Sequence, residues 1–296
     1  MEKNNQSQKI AHFHDKNYKK LLLIPLILFL FSLIYMISFY NIHGDFIYRD
    51  ISLTGGTSIT VYSPISTDNL MQSVGDQLGE VSTREIYDLV TGKKQAVIIE
   101  TTSDADTART VLEAYLGYEL TPDNSSFEFT GSTLSQSFYR QLLFAIIAAF
   151  IFMALVVFLI FKNFVPSIAV ILSAFADIFM TLVVVDILGI KMSTAGIVAF
   201  LMLIGYSVDT DILLTNRLLK GGEGSVNSKI LKSFKTGITM TLTSFAAILV
   251  SLLVVRSFSP ILSQIFTILV IGLLFDILNT WITNVSLLKW YVERKK

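Results

Sequence analysis

The chain has 296 residues and no formal net charge, with 52% apolar side chains, only 16% charged ones and a mean hydropathy of +0.62. Soluble domains carry about 25% charged residues, so an ordinary soluble globule is excluded, and a neutral chain offers no global argument for binding nucleic acid. There is no cysteine, hence no disulfide and no thiolate metal site, and His12, His14 and His43 all fall outside the apolar runs, so neither a metal nor a cofactor is expected.

In chain order, a polar segment (1–20) ends in Tyr18-Lys19-Lys20 and opens into an apolar run at 21–40. About 20 apolar residues cross a bilayer as a helix. A secretory signal would have only about 7–15 apolar residues and a small-residue cleavage site. This run is longer and leaves through Phe39, Tyr40 and Asn41, so a retained transmembrane helix is expected.

Residues 41–140 are mostly polar and read as an external α+β domain. Strands are expected at 57–62, 82–90, 95–101 and 127–129, with a turn of Gly92 and two lysines between the middle pair. Helices are expected at 67–78, through Leu70, Met71, Val74 and Leu78, and at 104–116, through Ala108, Val111, Leu112 and Tyr115, with Ser103 or Asp104 as cap. The order β-α-β-β-α-β is that of a ferredoxin-like fold. At its entrance, "DISLTGGTSITV" carries Gly55-Gly56, a pair that permits a backbone conformation or close approach barred to other residues, or simply turns the chain before a strand.

Five further spans are expected at 141–161, 165–187, 194–214, 237–255 and 262–287, making a bundle over 141–287, followed by a basic tail (288–296). The fold class is thus a polytopic helical membrane protein of six spans, grouped one plus five. Lysine and arginine set the orientation. Lys3, Lys9, Lys16, Lys19, Lys20, Lys162, Arg217, Lys220, Lys229, Lys232 and Lys235 fall on one side with the C-terminal Lys289, Arg294, Lys295 and Lys296. The opposite short loops hold only Lys191 and Arg256, so both termini are expected in the cytoplasm and 41–140 outside. Residues 216–235 interleave Val226, Ile230, Leu231 and Phe234 with lysines, the pattern of an amphipathic helix on the cytoplasmic surface.

Carboxylates inside the spans ask for an explanation, because a charge at the bilayer centre costs at least about 2.5 kcal/mol. Asp177 lies mid-span in "SAFADIFM", Asp209 and Asp211 in "LIGYSVDTDILL", and Asp276 in "FDILNTWIT". Lys235, Thr239 and Thr243 repeat every four residues along one face. Together these suggest a polar seam for proton relay. Asp209 and Asp211 stand about 200° apart on a helix, so they cannot share a partner. Gly205, one turn before Asp209, favours close packing there, which points Asp209 into the bundle and leaves Asp211 to a flanking contact near Asn216 and Arg217. A buried structural clamp without transport remains the alternative.

"VPSIAVILSAFADIF", "IGYSVDTDILLTNRLLK" and "FKTGITMTLTSFAAIL", with "TGG" at the external junction, resemble the SecF branch of the SecD/SecF protein-export family, in the resistance-nodulation-division superfamily, over most of the chain. "DTDILLTNR" with "KTGITMTLT" resembles its archaeal members. The resemblance implies a non-enzymatic subunit that joins SecD and the Sec translocon channel, within membrane lipid, to move translocating polypeptides. It also implies a proton-carrying carboxylate at the position of Asp209; where bacterial members have Arg, Lys235 stands. A small-molecule or lipid exporter of the superfamily would bring two large external domains and twelve spans. An intramembrane aspartyl protease would need a Gly-x-Gly-Asp run, which "GYSVD" lacks.

Overall fold

The computed structural model describes residues 20–88, 91–220 and 224–294. Lys3, Lys9, Lys16, Lys19, Val90, Lys295 and Lys296, on which parts of the reading above rest, lie outside these, as do residues 221–223 of the basic connection.

Helix α1 (Leu23–His43) is the first of six helices among the described residues that are long and apolar enough to span a membrane. A one-turn helix α2 (Ile51–Thr54) then leads into β1 (Gly56–Val61), α3 (Thr67–Leu78), β2 (Val81–Tyr87), β3 (Lys94–Thr101), α4 (Ala105–Leu116) and β4 (Ser125–Thr130). The four strands form one antiparallel sheet in the order β2-β3-β1-β4. Alternation puts Ile59 and Val61 of β1 and Val97 and Ile99 of β3 on the covered face, where Leu70, Val74 and Leu78 of α3 and Ala108 and Leu112 of α4 pack on them. Asp104 caps α4 by accepting from the amides of Asp106 and Thr107. Those two hydrogen bonds, joined by the Thr107 hydroxyl, hold its carboxyl below the usual range.

The remaining spans are α5 (Ser132–Phe161), α6 (Phe164–Ile187), α7 (Thr194–Lys220), α8 (Val226–Val255) and α9 (Pro260–Leu278), which runs on through a π-helical turn (Asn279–Asn284) into α10 (Val285–Arg294). More than half of the apolar stretches of α6 and α7 is buried, against 6% for α5 and 11% for α8, so α6 and α7 form the centre and α5 and α8 the flanks. Glycine permits the tightest crossings. A side chain at Gly237 of α8 would meet Trp281 and Thr210, and one at Gly272 of α9 would meet Leu203. The amphipathic stretch does not form a separate helix: residues 216–220 end α7 and the part from Val226 forms the first turns of the unbroken α8, where Val226, Ile230 and Phe234 pack against Leu218, Trp281 and Leu288.

The sheet domain is stitched to the bundle. Asp50 N–H donates to the Met192 carbonyl (2.9 Å), Met192 N–H to the Tyr48 carbonyl (2.6 Å), and Thr194 N–H to Ser52 Oγ (3.2 Å). From the other edge, Tyr87 N–H donates to the Ser257 carbonyl between α8 and α9 (2.9 Å). Asp50 also caps α2 and accepts from Arg84 of β2 (2.9 Å), and Arg84 pairs in turn with Glu100 of β3. Gly56 takes φ +145°, and a Cβ there would run into the Thr101 carbonyl of β3, while one at Gly55 (φ +89°) would strike the backbone of Ser132. Gly56→Val is therefore expected to lose about 1–3 kcal/mol from backbone strain alone, read as a lower melting temperature of the purified chain in detergent.

Candidate functional site

The apolar spans converge on three carboxylates. Phe200, Leu203, Ile204, Ser207, Asp211 and Leu214 recur at three and four residues along the buried side of α7, so Ser207 and Asp211, four apart, point the same way. That side faces α6, which brings Asp177, and the end of α9, which brings Asp276. Asp177, Asp211 and Asp276 have 0%, 0% and 1% of their surface exposed.

Their hydrogen-bond partners among the described residues are hydroxyls and amides. Ser207 Oγ donates to Asp177 Oδ2 (2.6 Å) and Asn279 Nδ2 to Asp177 Oδ1 (2.7 Å). Asn284 Nδ2 donates to Asp211 Oδ1 (2.7 Å), and Thr280 Oγ1 to Asp276 Oδ1 (3.1 Å). Asn279, Thr280 and Asn284 all belong to the π-helical turn, a register often found at functional sites because it re-aims side chains within a continuous helix. Several acceptors are left over: Asp211 Oδ2, Asp276 Oδ2 and Asn284 Oδ1 are buried with no partner among the described residues. A buried carboxylate must be neutralised, paired or wetted. Hydroxyls and amides orient it but bring no positive charge. No group of three His, Cys, Asp or Glu suited to holding a metal ion occurs among the described residues.

A family model described as "Protein export membrane protein SecD/SecF, C-terminal" matches residues 113–294. The chain is 39% identical over 282 residues to protein-export membrane protein SecF of Methanocaldococcus jannaschii, covering 94% of this chain and 96% of that one. It is 36% identical over 291 residues to SecF of Pyrococcus furiosus, covering 98% and 96%. The chain belongs to the SecD/SecF family.

The fold of this SecD/SecF family member is also that of a solved structure, SecDF of Thermus thermophilus, a translocon-associated membrane protein, with a TM-score of 0.74 at 18% identity, covering 94% of this chain and 38% of that one. SecDF in a super-membrane-facing form gives a TM-score of 0.62 at 17% identity, covering 95% and 39%. The chain thus spans under two-fifths of either SecDF chain. Its SecF relatives are mostly archaeal, as its motifs suggested, and six apolar helices in a SecF-type chain make it a multi-pass protein of the cell membrane.

Within this family member, four placements depart from the sequence reading. Asp209 does not point into the bundle; it is exposed, and Asp211 takes the buried position. Gly205 is exposed with open space around it, so the close packing expected beside Asp209 does not occur, and Gly237 supplies it on α8 instead. Arg217 does not pair with Asp211 but donates to the Lys232 carbonyl (2.8 Å) and Thr236 Oγ1 (3.0 Å) of α8. Lys235, Thr239 and Thr243 share a face as expected, but it is the outer face of α8. The two threonine hydroxyls donate to backbone carbonyls one turn back (2.8 and 2.7 Å), the usual way a helix absorbs them. Asn284 was not singled out from the sequence, although its amide stands among the polar groups that follow Asp276.

Proposed function

We propose that this chain is the SecF-type subunit that joins SecD and the Sec translocon channel to promote export of polypeptides across the cell membrane, acting without catalysis of its own and drawing on the proton gradient through Asp177, Asp211 and Asp276. The observation that carries the proton role is the burial of three carboxylates from three helices with uncharged partners. The SecF relatives support the export role, and the SecDF structures support the pairing. Lysine and arginine placement supports cytoplasmic termini, with residues 41–140 outside. The order β-α-β-β-α-β with strands in the order β2-β3-β1-β4 supports reading the external domain as ferredoxin-like, with Gly55 and Gly56 as its junction to the bundle, placed to meet emerging polypeptide.

A second set of polar groups supports the SecD partner. Asp209 of α7 and Lys235, Thr239 and Thr243 of α8 are exposed on spanning helices. Left against lipid, the carboxylate and the ammonium would each cost at least about 2.5 kcal/mol near the bilayer centre. A partner's helices would cover and hydrate them. Asp209 and Lys235 thus move, in this reading, from a relay inside one subunit to the contact between two.

Export measured with and without a proton gradient tests the proposal, with Asp177, Asp211 and Asp276 changed singly to Asn. Stimulation by the gradient is expected to fall at least tenfold in the Asp177 variant and to drop in the other two, while gradient-free export persists. Full stimulation in all three variants, with export still lost on deletion of the chain, would leave a scaffold of the translocon in its place.

A further inference from the structure

Asn279 and Asn284 stand five residues apart, about 140° around an α-helix, yet both reach the carboxylate cluster. The wider i→i+5 turn returns them to nearly one face. They do not receive the same complement there. Asp177 has a donor on each oxygen, and the Asn279 carbonyl is itself satisfied by the Thr283 hydroxyl (3.2 Å). That arrangement suits a carboxylate anion, which only accepts. Asp211 has one close donor, on Oδ1, with the hydroxyls of Ser173 and Thr280 beside its carboxyl. Its Oδ2 and the Oδ1 of the same Asn284 are both buried acceptors with no donor in close hydrogen-bond geometry among the described residues, and the Ser173 hydroxyl beside Asp211 can serve at most one of them.

A carboxylic acid facing an amide closes a ring of two hydrogen bonds: the amide N–H donates to the acid's carbonyl oxygen and the acid O–H donates to the amide oxygen. The first of these is present between Asn284 and Asp211. One proton on Asp211 Oδ2 supplies the second, and it gives both orphan atoms a partner at once. We propose that Asn284 is a positioning residue that holds Asp211 as a neutral acid, while Asp177 carries the charge of the pair. The proton comes from the aqueous phase and no other reactant is needed. Asp177 and Asp276 are the titratable groups whose fields act within this cluster, and Ser173 and Thr280 are its neighbouring hydroxyls. The π-helical turn has a specific task in this assignment, since an α-helical register would turn Asn284 away from Asp211 whenever Asn279 meets Asp177.

The assignment rests on reading the cluster as a proton site, but its test does not involve export. Infrared spectra of the full chain in lipid bilayers at neutral pH are expected to show a protonated-carboxyl stretch that Asp211→Asn removes and Asn284→Leu shifts without removing. Absence of any band sensitive to Asp211→Asn, or a band that Asn284→Leu leaves in place, overturns the pairing. Should Asn284→Leu fail to fold, melting temperatures decide. The amide of Asp211→Asn offers an N–H where the acid offers its O–H and is expected to keep the native value, whereas Asp211→Leu lowers it; equal values for the two variants overturn the proposal. Gradient-independent export by the native chain would overturn the coupling reading of this SecF-type subunit while leaving the infrared result intact.

Discussion

Asp177→Leu is expected to destabilise the chain by about 2–4 kcal/mol, while Asp209→Leu, on the neighbouring helix α7, changes the stability of the isolated chain by less than about 0.5 kcal/mol. The difference follows from what each carboxylate touches. Removing Asp177 strands the Asn279 amide and the Ser207 hydroxyl in a site with no exposed surface. An unsatisfied buried donor costs about 1–3 kcal/mol, and the serine can recover part of it by turning to a carbonyl of its own helix. Asp209 is exposed, and leucine there is as compatible with the surface of a spanning helix as its neighbours are. Its loss should show in assembly instead: Asp209→Leu is expected to co-purify less SecD than the native chain does, while Asp177→Leu retains SecD in proportion to the protein that folds. Thermal denaturation in detergent and quantitative co-purification measure the two effects. Equal destabilisation by both substitutions would contradict the placement of Asp209, and undiminished SecD with Asp209→Leu would remove it from the proposed contact.

The pair Asp209 and Asp211 shows how far the sequence could be read. That α7 spans the membrane and carries costly carboxylates was legible from composition alone. Which carboxylate faces inward was legible too, but in a different signal from the one used. Gly205 suggested close packing near Asp209, whereas the run Phe200, Leu203, Ile204, Ser207, Asp211, Leu214 follows the buried stripe at three- and four-residue intervals. One glycine is weak evidence against six periodic positions. Strands and helices of the sheet domain fall within a few residues of the expected places, because alternation and the Asp104 cap are local. The π-helical turn left no comparable trace, since a single i→i+5 register has no repeat to detect. Nor can polarity on α8 tell a bundle-facing stripe from a partner-facing one, as both must avoid lipid. The ion triad at the domain junction, built from Asp50, Arg84 and Glu100, joins residues 34 and 16 positions apart and becomes visible only once β2 and β3 are paired.

That triad carries the second large effect: Arg84→Met is expected to lower stability at pH 7 by about 2–3 kcal/mol, and the loss should shrink as the pH falls toward 5. Arg84 is the cation between two carboxylates whose side chains are 5% and 10% exposed, and its own side chain is one-third exposed. Removing one member of a fully buried ion pair costs about 3–5 kcal/mol, so partial exposure places this case below that range. Burial already pushes Glu100 above the usual carboxylate range against the pull of Arg84, and the nearby Asp50 pushes it the same way. A carboxyl whose folded value lies above its unfolded one favours the folded state more as the solution becomes more acidic. Without Arg84 the restraint on that rise is gone, so proton uptake by Glu100 relieves more of the repulsion from Asp50 in the variant than in the native chain. Asp50 also donates its N–H to Met192 and caps α2, so strain at the triad passes directly to the loop between α6 and α7. Melting temperatures of Arg84→Met and native protein in detergent at pH 7 and pH 5 check the sign. A gap that stays constant on acidification would mean that Arg84 does not restrain the protonation of Glu100, and that it packs at the junction rather than neutralising it.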